Sequence, residues 1–443
     1  MKIACSLFAI AISASAIAQD APPSAPIEVD VVGGVNAPMT VAVPVMPTPA
    51  PTATEAGDTA SLGRQVAAVI AADLRSTGRI TPIGPGGIGT YAPPEAAAPI
   101  YATWKAAGAS SLVAGYVEAG AGGRITVACY LHDVAAGREL AHQGFAVAAT
   151  EWRQAAHKCA DLAYSRLTGQ QAYLDTNIVY VAETGPKNAR IKRIALMDSD
   201  GSNHRYLTLG RTTVLNPRFS PRGDKLVYTT YIGRRPRVIL LDIGSGQERL
   251  LIPGNFITFA PRFSPDGRDV AFSMASGGNT DLYAVSAGGG EPRRLTATPG
   301  ADTSPSYSPD GRHIVFESDR GGTQQLYVMD PDGANQHRIS FGGGRYATPA
   351  WSPRGDLIAF TKITGNFRIG VMNAGGGGEK LLTDAWQDEA PSWAPNGQFV
   401  MFNRTAQGSG DSRLYAVSID GGAARLMPTP VGGSDPSWSP LKN

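Results

Sequence analysis

The sequence predicts an α/β N-terminal domain followed by an all-β six-bladed β-propeller closed by its C-terminal strand. Three observations predict it. First, one turn recurs: FSPRG at Phe219–Gly223, FSPDG at Phe263–Gly267, YSPDG at Tyr307–Gly311 and WSPRG at Trp351–Gly355, with WAPNG at Trp393–Gly397 and WSP at Trp438–Pro440. Second, its prolines (Pro221, Pro265, Pro309, Pro353, Pro395 and Pro440) stand 44, 44, 44, 42 and 45 residues apart, the period of propeller blades. Third, DPSWSPLKN supplies only one strand, whereas Asn177–Leu209 supplies strands that lack a first one. The last strand is therefore expected to complete the first blade and leave few free edges.

Within Ala260–Thr298 the grammar of one blade is legible. APRFSP reads as a strand, RDVAFSM alternates as a second, DLYAVSA is a third and RRLTAT a fourth, separated by turn residues. Gly267 permits the positive φ of a tight hairpin. Pro265 is tolerated where its strand ends. The repeated Phe263, Tyr307, Trp351, Trp393 and Trp438 give each blade a large apolar body to pack on its neighbour.

The segments before the propeller have a different period. MKIACSLFAIAISASAIAQD has a lysine before an apolar run and small residues at its end, so 1–18 is expected to be a signal peptide cleaved after Ala18. Residues 19–37 read as a flexible N-terminal segment, and 38–170 as the α/β domain. In that domain Leu62, Val66, Val69, Ile70 and Leu74 share one helical stripe. APIYATWKAAG is a shorter helix, SLVAGYVEAG, RITVACYLHDV and RELAHQGFAVA are three strands, and Glu151–Leu167 is a closing helix. The propeller is assigned to 176–443. Cys129 and Cys159 both fall on apolar faces; a disulfide in an oxidising compartment and a pair of buried thiols are both open on the residues alone.

No catalytic constellation emerges. The formal charge of +2 gives no nucleic-acid footprint. The six histidines form no HExxH pair, and neither a G-x-S-x-G elbow nor a phosphate loop occurs. Asp198–Gly201 and Asp330–Gly333 imitate the start of a calcium loop, but they lack its terminal Glu and read as hairpin turns. No metal or cofactor is expected. A disc of blades with loops on two faces suits protein binding.

The order of export signal, α/β domain and six blades resembles the TolB family, the periplasmic propellers of the Tol-Pal envelope system. IEVDVVGGVNAPMTVAVPV, IAADLRSTGRITPI, ARIKRIALMDSDGSNHRYLT and LYAVSIDGGAARLMPTPVGGSDPSWSP are the segments that carry the likeness. The resemblance implies a non-enzymatic monomer in the periplasm that bridges TolA and the peptidoglycan-associated lipoprotein Pal, without inserting in a membrane. Outer-membrane integrity and constriction at cell division would depend on it, and other outer-membrane lipoproteins are further candidate partners. It implies TolA contact through Ile27, Glu28, Val29, Asp30, Val31 and Val32, which QDAPPSA sets back from the mature terminus. It implies Pal contact at one propeller mouth, where the strand grammar puts Thr213, Phe256, Thr258, Asp302, Thr303, Arg345, Thr348, Asp388, Glu389 and Asp435. There Asp302, Asp388, Glu389 and Asp435 are expected to form a ring of carboxylates. The competing readings are a propeller enzyme, of polysaccharide-lyase or peptidase-like type, and a glycan-binding propeller. An enzyme would need a His/Arg or metal cluster at the channel, whereas His204, His313 and His337 fall in outer strands or turns.

Overall fold

A computed structural model describes residues 39–442. The TolA-contact stretch Ile27–Val32 and the signal sequence lie outside the described residues. The α/β part is a five-stranded sheet of β1 (Met39–Ala42), β2 (Ile80–Ile83), β3 (Ser111–Ala119), β4 (Arg124–Asp133) and β5 (Arg138–Ala148), in the order β2-β1-β3-β4-β5. The pairs made by β1 are parallel and the rest antiparallel.

Helix α1 (Thr59–Ser76) starts where the Asp58 carboxylate accepts the Ser61 N–H at 2.8 Å. Its predicted stripe of Leu62, Val66, Val69, Ile70 and Leu74 is buried. Helix α2 spans Tyr101–Ala106 and buries Trp104. Helix α3 (Trp152–Thr168) stops at Gly169, whose φ of 69° a side chain would disfavour. Cys129 on β4 and Cys159 on α3 meet in this core, their Cα atoms 6.0 Å apart.

The link to the propeller is pinned, because the buried Asp161 carboxylate accepts the N–H groups of Tyr173, Leu174 and Asp175 at 2.8–2.9 Å. Tyr173 then packs on Phe399 and Trp438.

Six four-stranded antiparallel sheets follow. Blade 1 pairs Gly432–Trp438 with Asn177–Thr184, then adds Ile191–Asp198 and Arg205–Tyr206. The expected closure is present, with Gly432 opposite Glu183 and Trp438 opposite Ile178. Blades 2 to 6 begin with Val214–Phe219, Ile257–Phe263, Asp302–Tyr307, Arg345–Trp351 and Asp388–Trp393. Each first strand ends in the recurring turn, where Gly267, for example, has φ 71°.

Separate apolar clusters fill the seams between blades 1 and 2, 2 and 3, 3 and 4, 4 and 5, and 5 and 6. The seam between blades 6 and 1 instead merges with the core of the α/β part. The repeated aromatics serve these seams. Trp393 Nε1 donates to the Ala350 carbonyl of the preceding blade at 2.8 Å, and Trp438 Nε1 donates to Thr176 Oγ1 at 2.8 Å.

Charge also joins the two parts. His157 Nδ1 of α3 donates to Asp73 of α1 at 2.6 Å, both fully buried. Arg153 binds Asp200 in the turn after the third strand of blade 1, and Lys442 Nζ donates to Asp198 of the same turn at 2.8 Å. Asp73, His157 and Asp200 offer ligand atoms within 4.8 Å of one another, but the cation seated on Asp200 is the Arg153 guanidinium. Burial alone pushes the His157 imidazole down. The charge of Asp73 and the hydrogen bond to it, with Asp200 and Asp198 nearby, hold it up to about 8.

Two expectations follow from this joint and from the closure. His157 contributes stability that is complete below its ordinary value of 6.5 and is lost as pH rises through about 8. Thermal unfolding between pH 6 and 9 should therefore show a loss in the wild type worth about 2 kcal/mol, and His157→Gln should lack that slope. Trp438→Ala removes an aromatic that touches blade 6, blade 1 and the link, and should cost about 4 kcal/mol in urea unfolding. The half-buried Trp351, changed in the same way, should cost clearly less.

Candidate interaction site at the propeller mouth

Each first strand starts at one face of the disc and carries a distortion there. Asn216, Ala260, Ser304, Thr348, Ala390 and Asp435 have φ between 47° and 57°. Each precedes a proline (Pro217, Pro261, Pro305, Pro349, Pro391 and Pro436), and at each the pairing with the second strand slips. These are β-bulges, which turn a residue away from the ladder.

The freed N–H groups go to the adjacent blade. Ala260 donates to Thr229 Oγ1 at 3.2 Å, Ser304 to Ser273 Oγ at 3.3 Å, Thr348 to Glu317 Oε2 at 2.7 Å and Asp435 to Asn403 Oδ1 at 3.2 Å. Asn216 donates to Asp435 Oδ2 at 3.3 Å. The bulges thus stitch neighbouring blades around the channel. The sequence carries a signal for them, a second proline four residues before each turn proline.

Around the bulges the channel is acidic. Glu183 is held by Lys192 at 2.9 Å. Glu317 accepts from Thr303 Oγ1 at 2.5 Å and Ser304 Oγ at 3.0 Å. Burial raises the Glu389 carboxyl, Gln387 offsets part of that, and Asp435 raises it further.

The residues assigned to this mouth from sequence divide into two groups. Thr213, Phe256 and Arg345 are exposed, and Thr303, Thr348, Glu389 and Asp435 are half-buried around the channel. Asp302, Asp388 and Thr258 are not presented to a partner, which corrects the expected ring of carboxylates. Asp302 is fully buried against Arg320 at 2.8 Å, and Asp388 is fully buried in a two-point pair with Arg404 at 2.7 and 2.8 Å. Each arginine also lies over two aromatic rings of its own blade. These aspartates open their strands inside the sheet, where an unpaired charge is costly, so an arginine at the end of the next strand neutralises each one. Thr258 accepts the Val238 N–H at 3.0 Å and is 1% exposed.

Sequence reasoning named only Phe256 of an apolar rim. Leu209 (72% exposed), Phe341 (75%) and Trp386 (48%) sit in the loops that lead into first strands, beside Phe256 (42%). Tyr231 and Ile232 end the second strand of blade 2 at the same face and are exposed too. Phe341 had a readable signal: it stands before Gly342, Gly343 and Gly344, in a loop with no core to enter. The α/β part contacts the opposite, Ser-Pro face through Tyr173, Asn396 and the Asp198–Gly201 turn. Among the described residues, the mouth face is left open.

The comparisons agree with this architecture. The family described as TolB amino-terminal domain matches residues 27–140, and TolB beta propeller domain matches 164–442. The chain is 65% identical over 440 residues to the Tol-Pal system protein TolB of Rhizorhabdus wittichii, covering 99% of each. It is 63% identical over 415 residues to that of Zymomonas mobilis, covering 94% of this chain and 91% of the relative. Among solved structures, TolB from Acinetobacter baumannii superposes with a TM-score of 0.79 at 27% identity, covering 91% of this chain and 97% of the other. These relatives set aside the enzyme reading drawn from propeller folds in general. With both domain matches in order and a relative similar along its whole length, the chain belongs to the TolB family of non-enzymatic Tol-Pal system propellers.

Proposed function

We propose that this protein works in the periplasm as the bridge between TolA and the lipoprotein Pal, maintaining outer-membrane integrity and supporting constriction at division. Pal docks on the propeller mouth, and Ile27–Val32 serves TolA. The observation that carries the docking face is the exposed rim of Leu209, Tyr231, Ile232, Phe256, Phe341 and Trp386 around an acidic channel, on the face the α/β part does not cover. Aromatic and aliphatic side chains around a polar centre are what a protein interface supplies. Relatives named as Tol-Pal system proteins support the system. No helix of the described residues is long and apolar enough to cross a membrane, which fits a role between membrane-anchored partners.

Calorimetric titration with the soluble domain of Pal tests the face. Phe256→Ala combined with Trp386→Ala should leave the melting temperature nearly unchanged and weaken binding at least about tenfold. Wild-type affinity in that variant would move the site elsewhere. Asp302→Ala and Asp388→Ala behave differently. Each leaves a largely buried arginine unpaired and should cost about 3 kcal/mol of stability, so any loss of binding they cause should track unfolding.

We also propose that Cys129 and Cys159 form a disulfide, as periplasmic oxidation and their 6.0 Å Cα spacing favour. Closing a loop of 30 residues should add about 3.5 kcal/mol. Denatured, unreduced protein should then show no thiol that reacts with maleimide once the leader is removed, and two after reduction.

A further inference from the structure

Beyond the bulges, toward the Ser-Pro turns, the channel changes sign. The residue after each bulge proline lines a cavity of about 340 Å³ there: Arg218, Arg262, Ser306, Ala350, Ser392 and Ser437. Two arginines thus stand at equivalent positions in adjacent blades. Arg218 is 8% exposed, and its Nη1 donates to the carbonyls of Pro217 at 2.8 Å and Pro436 at 3.2 Å. Arg262 Nη1 donates to the Pro261 carbonyl at 3.2 Å. These acceptors are neutral.

Among the described residues, neither guanidinium forms an ion pair with a carboxylate. The acidic group that acts on both is Asp435, which is engaged with Asn216. Burial pulls the Arg218 guanidinium down to about 10. Burial and then the charge of Arg218 pull Arg262 well below its ordinary value. Arg218, buried, and Arg262, half-buried, are two like charges at one cavity without a paired carboxylate, a costly arrangement. The planar fork of a guanidinium matches an oxyanion.

Hydroxyls complete the lining. Ser306 Oγ accepts the Trp351 N–H at 3.1 Å and Ser392 Oγ accepts the Trp438 N–H at 3.0 Å, which leaves both hydroxyl protons free to donate. The cavity has room for a phosphate-sized ion with several waters.

We propose that the Ser-Pro end of the propeller channel is a binding site for a small tetrahedral oxyanion of the phosphate type, held by Arg218, Arg262 and the serine hydroxyls. The site lies at the opposite end of the channel from the partner face.

Trp351, Trp393 and Trp438 line the same cavity, so their emission reports occupancy. The mature protein in a chloride buffer is titrated with sodium phosphate and, at matched ionic strength, with sodium acetate. The expected result is a saturable change in emission and a rise in melting temperature with phosphate, and neither with chloride or acetate. Arg262→Gln should weaken phosphate binding at least about tenfold, and Arg262→Lys, which keeps the charge without the fork, should fall between. In chloride, Arg262→Gln should melt no lower than wild type, because one of two like charges is gone; a purely structural arginine would lower it. No saturable response in the wild type overturns the proposal. So does unchanged phosphate binding in the folded Arg262→Gln variant, or a response to acetate alone.

Discussion

The N–H of a bulged residue in one blade bonds a side chain of an adjacent blade, as Thr348 does with Glu317 and Asp435 with Asn403. This hydrogen bond is made beside the channel, between the first strand of one blade and the second strand of its neighbour. It requires the residue to leave its own ladder, and a proline behind it gives up no ladder donor by standing there. The channel's width, the direction of its lining side chains and the ring-like contact of the blades all follow from that repeated step. The apolar seams farther out supply most of the burial, but they are non-directional and would tolerate other angles.

The repeat made the propeller legible. Turn prolines at a near-constant period counted the blades, and an unpaired strand at each end of the repeat region predicted the closure between Gly432–Trp438 and Asn177–Thr184. In the α/β part the long helices were legible from their apolar stripes and three of the five strands from their composition, while the short parallel strands Met39–Ala42 and Ile80–Ile83 carry too few residues to show a period. The bulges escaped, although their prolines stand in plain sight, because a slip in strand pairing changes no hydrophobic pattern. The mouth was legible as loops and less so as chemistry. A charge in a loop reads as exposed, and nothing in the local sequence says that Arg320 and Arg404 come back across the blade to cover Asp302 and Asp388. Phe256 was placed at the mouth from the strand grammar, but Leu209 and Trp386 escaped for the converse reason: they look like core residues until the fold leaves them outside.

The two faces of the disc are chemically unlike. One is rimmed by apolar side chains over carboxylates; the other is lined by prolines, serines and two guanidiniums and carries the α/β part. Because that part shares its core with the seam between blades 6 and 1, it sits on the one seam that joins the two ends of the repeat. A disturbance in the α/β part is therefore felt first where the ring is closed.

The closure also governs when folding can finish. Ser434 and Glu183, bonded across blade 1, are 251 residues apart in the chain. As the polypeptide emerges in order, five blades can assemble while Asn177–Thr184 still has an open inner edge. That edge is an apolar strand with unpaired backbone groups, the kind of surface that recruits other strands. It is capped only by the last segment to appear, and loop closure over such a span is slow. The interval before Gly432–Trp438 arrives is thus the period in which this protein is most exposed to misassembly.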